Sequence, residues 1–216
     1  MVIAAHPDDE VFGCGGTLIK HAMKGDDIHI VTLTDGVSSR GSSAGQDERS
    51  QGLERVAHDL KATFSTYKFK DNQLDSYPLL DITKIIEGEI SEFLPNIIYT
   101  HHLGDLNVDH QICHKSVLTA CRPQPNFSVN EIYTFEINSS TEWNTPTSAN
   151  CFLPNMYVDI SDVITVKERL ILYYRQELRE YPHVRSLKGI QIKNELRGME
   201  VGLKYAEAFG IVRIIK

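Results

Sequence analysis

His6-Pro7-Asp8-Asp9-Glu10 puts an imidazole and three carboxylates into five consecutive residues. Adjacent acids repel one another unless something cationic sits among them, and a divalent metal is the simplest such cation. His6 and Asp9 form a nitrogen-plus-oxygen pair suited to zinc. Asp8, between them, would then be free to act as a base on water at the metal. The competing reading makes Asp8, Asp9 and Glu10 a helix N-cap and first turn, favoured by the helix dipole. That accounts for acids ahead of Val11-Phe12 but gives no reason for His6. A second group of ligands separates the two readings.

The stretch from His101 to His114 provides it, with four histidines and two aspartates in 14 residues. Cap chemistry cannot explain that density. His110 is the candidate third ligand, which leaves one position of a catalytic zinc site for water. A single surface histidine would be unremarked at His101 or His102, and the weight falls on the cluster as a whole.

Both groups follow runs that read as strands. Met1 to Ala5 is a short apolar run ahead of His6, and Ile97 to Thr100 is another ahead of His101. In an open α/β sheet, ligands bind at the carboxyl ends of the strands, so both groups can face one crevice. The chain between them alternates strand and helix. Leu18 to Met23 is helical, Ile28 to Leu33 a strand, Gln46 to Lys61 a helix, Thr63 to Phe69 a strand and Leu80 to Phe93 a helix with isoleucines at core spacing. Such βαβ units predict an α/β fold with a mostly parallel sheet flanked by helices. Later strands are expected at Glu131 to Ile137, Met156 to Ile160 and Ile211 to Ile215. Helices are expected from Ser161 or Asp162 to Leu178 and from Leu187 to Tyr205. The glycine- and hydroxyl-rich stretch from Thr34 to Gly45, carrying Arg40, and the polar stretch from Asn138 to Pro154 read as loops that could meet a sugar.

The chain has 216 residues, 41% of them apolar and 24% charged, in keeping with one ordinary globular domain over 1–216. A net charge of −7 without a basic run argues against nucleic acid as a partner. No stretch approaches the roughly 20 apolar residues of a membrane span. Cys14, Cys113, Cys121 and Cys151 form no C-x-x-C pair and read as reduced thiols, which points to the cytoplasm. Self-association is left open.

Ala5-His6-Pro7-Asp8-Asp9-Glu10 matches the signature of the PIG-L/LmbE-like family of zinc-dependent N-deacetylases, and the chain resembles that family over nearly its whole length. Asn107-Val108-Asp109-His110 matches the family's His-Pro-Asp-His motif at Asp109 and His110. Pro182-His183-Val184-Arg185-Ser186, Arg197-Gly198 and Tyr205 to Phe209 are similar to a family tail. The resemblance implies a Rossmann-like fold and removal of acetyl from an N-acetylated sugar or sugar conjugate of the N-acetylglucosamine type. It implies that His6, Asp9 and His110 bind zinc, that Asp8 is the general base, and that Asp109 orients an imidazole. Asn107 stands where many members carry a histidine; it can donate a hydrogen bond to an oxyanion but cannot shuttle a proton. Protonated Asp8, His101, His102 and His114 are then candidate proton donors. Arg40, Arg49, Asp71, His183 and Arg185 are candidate substrate contacts, with a surface salt bridge as the plain alternative for Arg49 and Arg185.

Other readings compete. Gly13-x-Gly15-Gly16 after a strand suggests a nucleotide-binding Rossmann module, although it is not G-x-G-x-x-G and three acids precede it where a pyrophosphate needs positive potential. A metal-binding relative without catalysis is a third. The His110-to-His114 spacing is similar to the H-E-x-x-H zinc protease helix, but Gln111 replaces the glutamate that acts there.

Overall fold

The computed structural model describes residues 1–36, 46–125 and 127–216; Arg40 and most of its loop lie outside them. Seven strands form one sheet in the order β3-β2-β1-β4-β5-β7-β6. They are β1 (Val2–Ala4), β2 (His29–Thr34), β3 (Thr63–Phe69), β4 (Ile97–His101), β5 (Glu131–Phe135), β6 (Met156–Asp159) and β7 (Ala206–Ile214). The pairs from β3 through β5 are all parallel, and β7 runs antiparallel to both β5 and β6.

Side-chain alternation along the central strands separates two cores. Ile3, Val31 and Ile98 point to a face covered by α3 (Leu79–Phe93) and α4 (Val108–Ala120), where they meet Ile82, Ile86 and Val117. Val2, Ile30 and Tyr99 point to the opposite face. There α1 (Asp9–Lys24), α2 (Gln46–Leu60), α5 (Ile164–Leu172) and α6 (Leu187–Met199) supply Phe12, Leu53, Leu170 and Ile190. Burial on both faces is why β1 and β2 read as continuous apolar runs rather than alternating ones.

Among the described residues no helix is long and apolar enough to cross a membrane, and all four cysteines are free thiols. The boundaries differ from expectation in two places. Helix α5 starts at Ile164 with Val163 at its N-cap position, so neither Ser161 nor Asp162 caps it, and it gives way to a separate 3₁₀ turn at Arg175–Glu177. Helix α6 ends at Met199 rather than Tyr205, near Gly202 in the left-handed region at φ 75°, which turns the chain so that β7 begins at Ala206 rather than at Ile211.

The chain leaves β1 toward β2 and β3 on one side and returns to β4 and β5 on the other. The crevice where that order reverses, beyond the carboxyl ends of β1 and β4, is where such sheets bind ligands.

Candidate metal centre and active site

His6, Asp8 and Asp9 follow β1, Asp71 and Asn72 follow β3, Asn107, Asp109 and His110 follow β4, and Ser139 and Ser140 follow β5. Together with Arg49 of α2 and Arg185 ahead of α6, all but Asp109 line one cavity of about 140 Å³.

Three donor atoms converge inside it. His6 Nδ1 lies 3.1 Å from Asp9 Oδ2, His110 Nε2 lies 3.4 Å from the same oxygen, and the two nitrogens are 3.3 Å apart. Metal–ligand bonds of about 2.0–2.1 Å in a tetrahedral zinc site put ligand atoms roughly 3.3–3.4 Å from one another. The other oxygen of Asp9, Oδ1, is buried without a hydrogen-bond partner. The set therefore fits a divalent cation.

Each histidine is backed by a further carboxylate. His6 Nε2 lies 3.1 Å from Asp109 Oδ2 and 3.0 Å from Asp71 Oδ1. Asp109 is itself fixed, accepting from the backbone N–H groups of Asn72 (2.7 Å) and Leu74 (2.9 Å). His110 Nδ1 lies 3.1 Å from Asp105 Oδ1, close enough for an ion pair though not aligned as a hydrogen bond. Asp105 also accepts from the Ser140 and Thr141 hydroxyls and the Asn107 N–H. Carboxylates behind metal-binding imidazoles fix ring orientation and raise basicity. Asp105 was not singled out in the sequence. Its only signal there was its place in the aspartate-containing run between the histidines.

The electrostatics favour positive charge in the cavity. Burial opposes protonation of His6, but the carboxylates of Asp109, Asp71 and Asp9 outweigh it and raise the imidazole well above its ordinary value. His110 is raised to about 9 against the same burial by Asp9 and Asp105. The surrounding carboxylates favour positive charge at both imidazoles, a demand that a divalent cation would also meet.

Asp8 differs from its neighbour. Burial pushes it up to about 6, partly opposed by the Arg49 and Arg185 guanidiniums. These stand 3.9 and 3.7 Å from its Oδ2, which has no hydrogen-bond partner. It occupies the N-cap position of α1 but makes no side-chain cap bond, and its backbone has φ 124°. The capping explanation thus fails at the residue where it should hold best. Glu10 Oε2 accepts from the Asp8 N–H at 2.9 Å while Tyr174 donates to Glu10 Oε1 at 2.6 Å. Burial pushes Glu10 up to about 8.

The remaining candidates separate. Asn107 caps α4, its Oδ1 accepting from Asp109 N at 2.8 Å, while its Nδ2 reaches Asn72 Oδ1 at 3.3 Å. Arg49 is not a surface residue: it makes a buried pair with Glu177 at 2.7 Å. Arg185 lies over the Phe12 ring at 4.8 Å. His183 sits behind Arg185, accepting its N–H at 3.0 Å, with its ring against Trp143 rather than lining the cavity. His101 is fully buried, accepts from Ala5 N at 2.9 Å and stacks on His110 at 3.9 Å. His102 and His114 bond to the backbone carbonyls of Asn150 and His101, away from the donor triangle.

The glycine cluster has a packing explanation. A Cβ at Gly13 would run into the Phe135 ring, and one at Gly16 would lie 2.6 Å from Ile160 Cγ2. The Gly16 and Thr17 N–H groups, which a pyrophosphate would seek, both donate to Glu207 at 2.7 Å.

Comparison with known proteins gives the family and agrees with the fold. Uncharacterized deacetylase YaiS of Escherichia coli (strain K12) is 26% identical over 173 residues, covering 77% of this chain and 85% of the relative. The N,N'-diacetylchitobiose deacetylase of Pyrococcus horikoshii superposes with a TM-score of 0.78 at 20% identity, over 98% of this chain and 82% of that one. GalB, the 4-carboxy-2-hydroxymuconate hydratase of Pseudomonas putida KT2440, superposes with a TM-score of 0.77 at 19% identity, over 100% and 97%. The family profile described as PIG-L, GlcNAc-PI de-N-acetylase, matches residues 1–121, more than half of the chain, and this protein belongs to that family.

Proposed function

We propose that the protein is a zinc-dependent hydrolase that removes the acetyl group from an N-acetylated sugar or sugar conjugate of the N-acetylglucosamine type. The observation that carries this reading is the triangle of His6 Nδ1, Asp9 Oδ2 and His110 Nε2 beside a buried Asp8 oxygen with no hydrogen-bond partner. His6, Asp9 and His110 hold the metal. Zinc there would lower the pKa of water to about 7 and polarise the acetyl carbonyl.

Asp8 takes the proton of the attacking water. Asn107 Nδ2 donates to the developing oxyanion, its Oδ1 being committed to the helix cap. Protonated Asp8 then gives its proton to the leaving amine, since it lines the cavity and His102 and His114 do not. Asp109 orients His6, and Arg49, Asp71 and Arg185 form the walls that receive the substrate. At about 140 Å³ the cavity suits the acetamido end of the substrate, with the rest of the conjugate outside it; sites enclosing a whole drug-sized ligand run to about 300–1,000 Å³.

The hydratase neighbour shares the fold, and fold alone does not choose between adding water across a double bond and hydrolysing an amide. The family match favours hydrolysis. Occupation of the Gly16 and Thr17 amides by Glu207 disfavours the nucleotide-binding reading. The test is to load the protein with zinc, measure metal per chain, and assay a panel of N-acetylated sugars and conjugates for released acetate and free amine. About one zinc per chain with amine release supports the proposal. Zinc binding without release from any substrate leaves only a metal-binding protein, and absence of zinc binding removes the centre itself.

A further inference from the structure

We infer that Glu10, held by Tyr174, is a positioning residue that locks the backbone of Asp8 so that its carboxylate faces the cavity as a free base; this rests on the role given to Asp8 above. A base must keep an oxygen clear of donors, because hydrogen bonds to its charged form lower its basicity. Asp8 Oδ2 meets that condition, having no hydrogen-bond partner and both guanidiniums at 3.7 Å or more. Hydrogen bonds to that oxygen therefore do not aim it, which leaves its backbone and the two ion pairs to do so.

That backbone sits at φ 124° and ψ −33°. A side-chain-bearing residue in such a region is strained and persists only where its surroundings over-determine it. The Asp8 carbonyl is held from the helix side, accepting from Val11 N at 3.0 Å and Phe12 N at 3.1 Å. Its N–H has the buried Glu10 Oε2 as partner, at 2.9 Å. The second Glu10 oxygen is fixed by the Tyr174 hydroxyl at 2.6 Å. Tyr174 is fully buried, and its ring lies so close to α2 that a Cβ at Gly52 would stand 2.6 Å from its Cε1. A rigid aromatic anchored between helices thus sets a carboxylate, and that carboxylate sets the peptide of the base.

The test compares wild type, Glu10→Ala, Glu10→Gln and Tyr174→Phe as full-length zinc-loaded proteins. Zinc content, melting temperature, kcat and KM are measured on a substrate that wild type deacetylates, and the crystal structures of wild type and Tyr174→Phe are determined. A displacement of about 1 Å at a reacting group costs on the order of 10²-fold in rate. Glu10→Ala should lose about that factor in kcat, with KM within about threefold and zinc retained. Tyr174→Phe should lose roughly tenfold, with Asp8 relaxed from φ 124°. Glu10→Gln keeps an acceptor oxygen for the Asp8 N–H and should recover most of the rate.

A structural role alone would lower the melting temperature of all three variants and leave kcat per folded molecule unchanged, which overturns the proposal. Zinc lost in step with activity also overturns it, because Glu10 would then act through Asp9. Should Glu10→Ala not fold, Tyr174→Phe decides by the same readings. Should wild type deacetylate nothing, the functional reading fails by itself, and the Asp8 backbone in the Tyr174→Phe crystal still judges the lock.

Discussion

Helix α1 carries a buried polar cluster on each side of its break at Cys14, where φ is −146° and ψ 21°. Before the break stand Asp8, Asp9 and Glu10 with the histidines that face them. After it, Glu207 of β7 reaches the freshly exposed amides of the helix's second half. Glu207 accepts from Gly16 N, Thr17 N and the Thr17 hydroxyl and pairs with Lys167 Nζ at 2.7 Å, so both of its oxygens are engaged. In the first cluster Asp8 Oδ2 and Asp9 Oδ1 have no hydrogen-bond partner, and two imidazole nitrogens face each other at 3.3 Å. Both clusters are equally buried. What separates a cluster that caps a helix from one that asks for a ligand is whether the inventory of donors and acceptors closes.

The largest effect expected from this contrast falls on the two adjacent aspartates. Asp8→Asn should keep its zinc and lose on the order of 10²–10⁴-fold in turnover, the usual worth of a general base. Asp9→Ala removes one of the three proposed protein ligands, and zinc affinity should fall steeply. Metal analysis and turnover on these two variants check the assignment; zinc lost from Asp8→Asn but kept by Asp9→Ala would reverse it. The same paired removal in the second cluster should look different. Lys167→Ala leaves a buried carboxylate without its cation and should cost about 3–5 kcal/mol of stability. Denaturant unfolding would show that loss, while zinc content and turnover of the folded protein stay near wild type.

A middle-sized effect is expected behind the ligands. Asp109→Asn and Asp105→Asn should each weaken zinc binding by about 10–100-fold without abolishing it. Competition with a chelator measures this. Equal zinc affinity in Asp105→Asn would mean that its ion pair with His110 serves only the loop carrying Ser140 and Thr141.

How much of this was legible follows from the range over which each signal acts. The βαβ order and all seven strands are written in local hydrophobic pattern, because each strand is buried on one or both faces by its own neighbours. That His6, Asp9 and His110 converge was legible because such residue types are rare in such density. The last helix was read as far as Tyr205 and the last strand only from Ile211, since only the turn near Gly202 and pairing with β5 and β6 end the helix at Met199 and start the strand at Ala206. Likewise the helix broken at Cys14 is explained by Glu207, 191 residues from Gly16, and no local pattern announces it. Arg49 is similar: its choice between surface and cavity was settled by Glu177, 128 residues away. Contacts set by the packing of distant elements are what a single sequence conceals.

Asn107 lies between the two kinds of cluster, since it caps α4 through Oδ1 and lines the cavity. Asn107→Ala should lose about 1 kcal/mol from the cap. If Nδ2 also serves the oxyanion, turnover should fall further, with neither limb of the pH profile moved. Asn107→Asp keeps the cap acceptor and removes the donor, so its stability should stay close to wild type while turnover drops. A missing limb in the Asn107→Ala profile would mean that Asn107 supports proton transfer after all.

The smallest effect is a control outside the lining of the cavity. Glu136, just beyond β5, accepts from Arg197 Nε at 2.7 Å and Lys193 Nζ at 3.0 Å. Burial alone would raise its carboxyl, but the Arg197 hydrogen bond and the two cations outweigh it and hold it below the ordinary value. A carboxylate depressed in the folded state binds protons more readily once unfolded. Its contribution is therefore complete above the unfolded pKa and is lost as pH falls through the lower, folded one. The partners reach solvent, so the pair is worth about 1 kcal/mol or less. Wild type minus Glu136→Gln, compared by melting temperature, should show a gap at neutral pH that closes in acid and narrows with salt. Zinc content and turnover should be unaffected, because the donors around Glu136, like those around Glu207, are already used. A gap that widened in acid would reverse the sign and remove the cations as its cause.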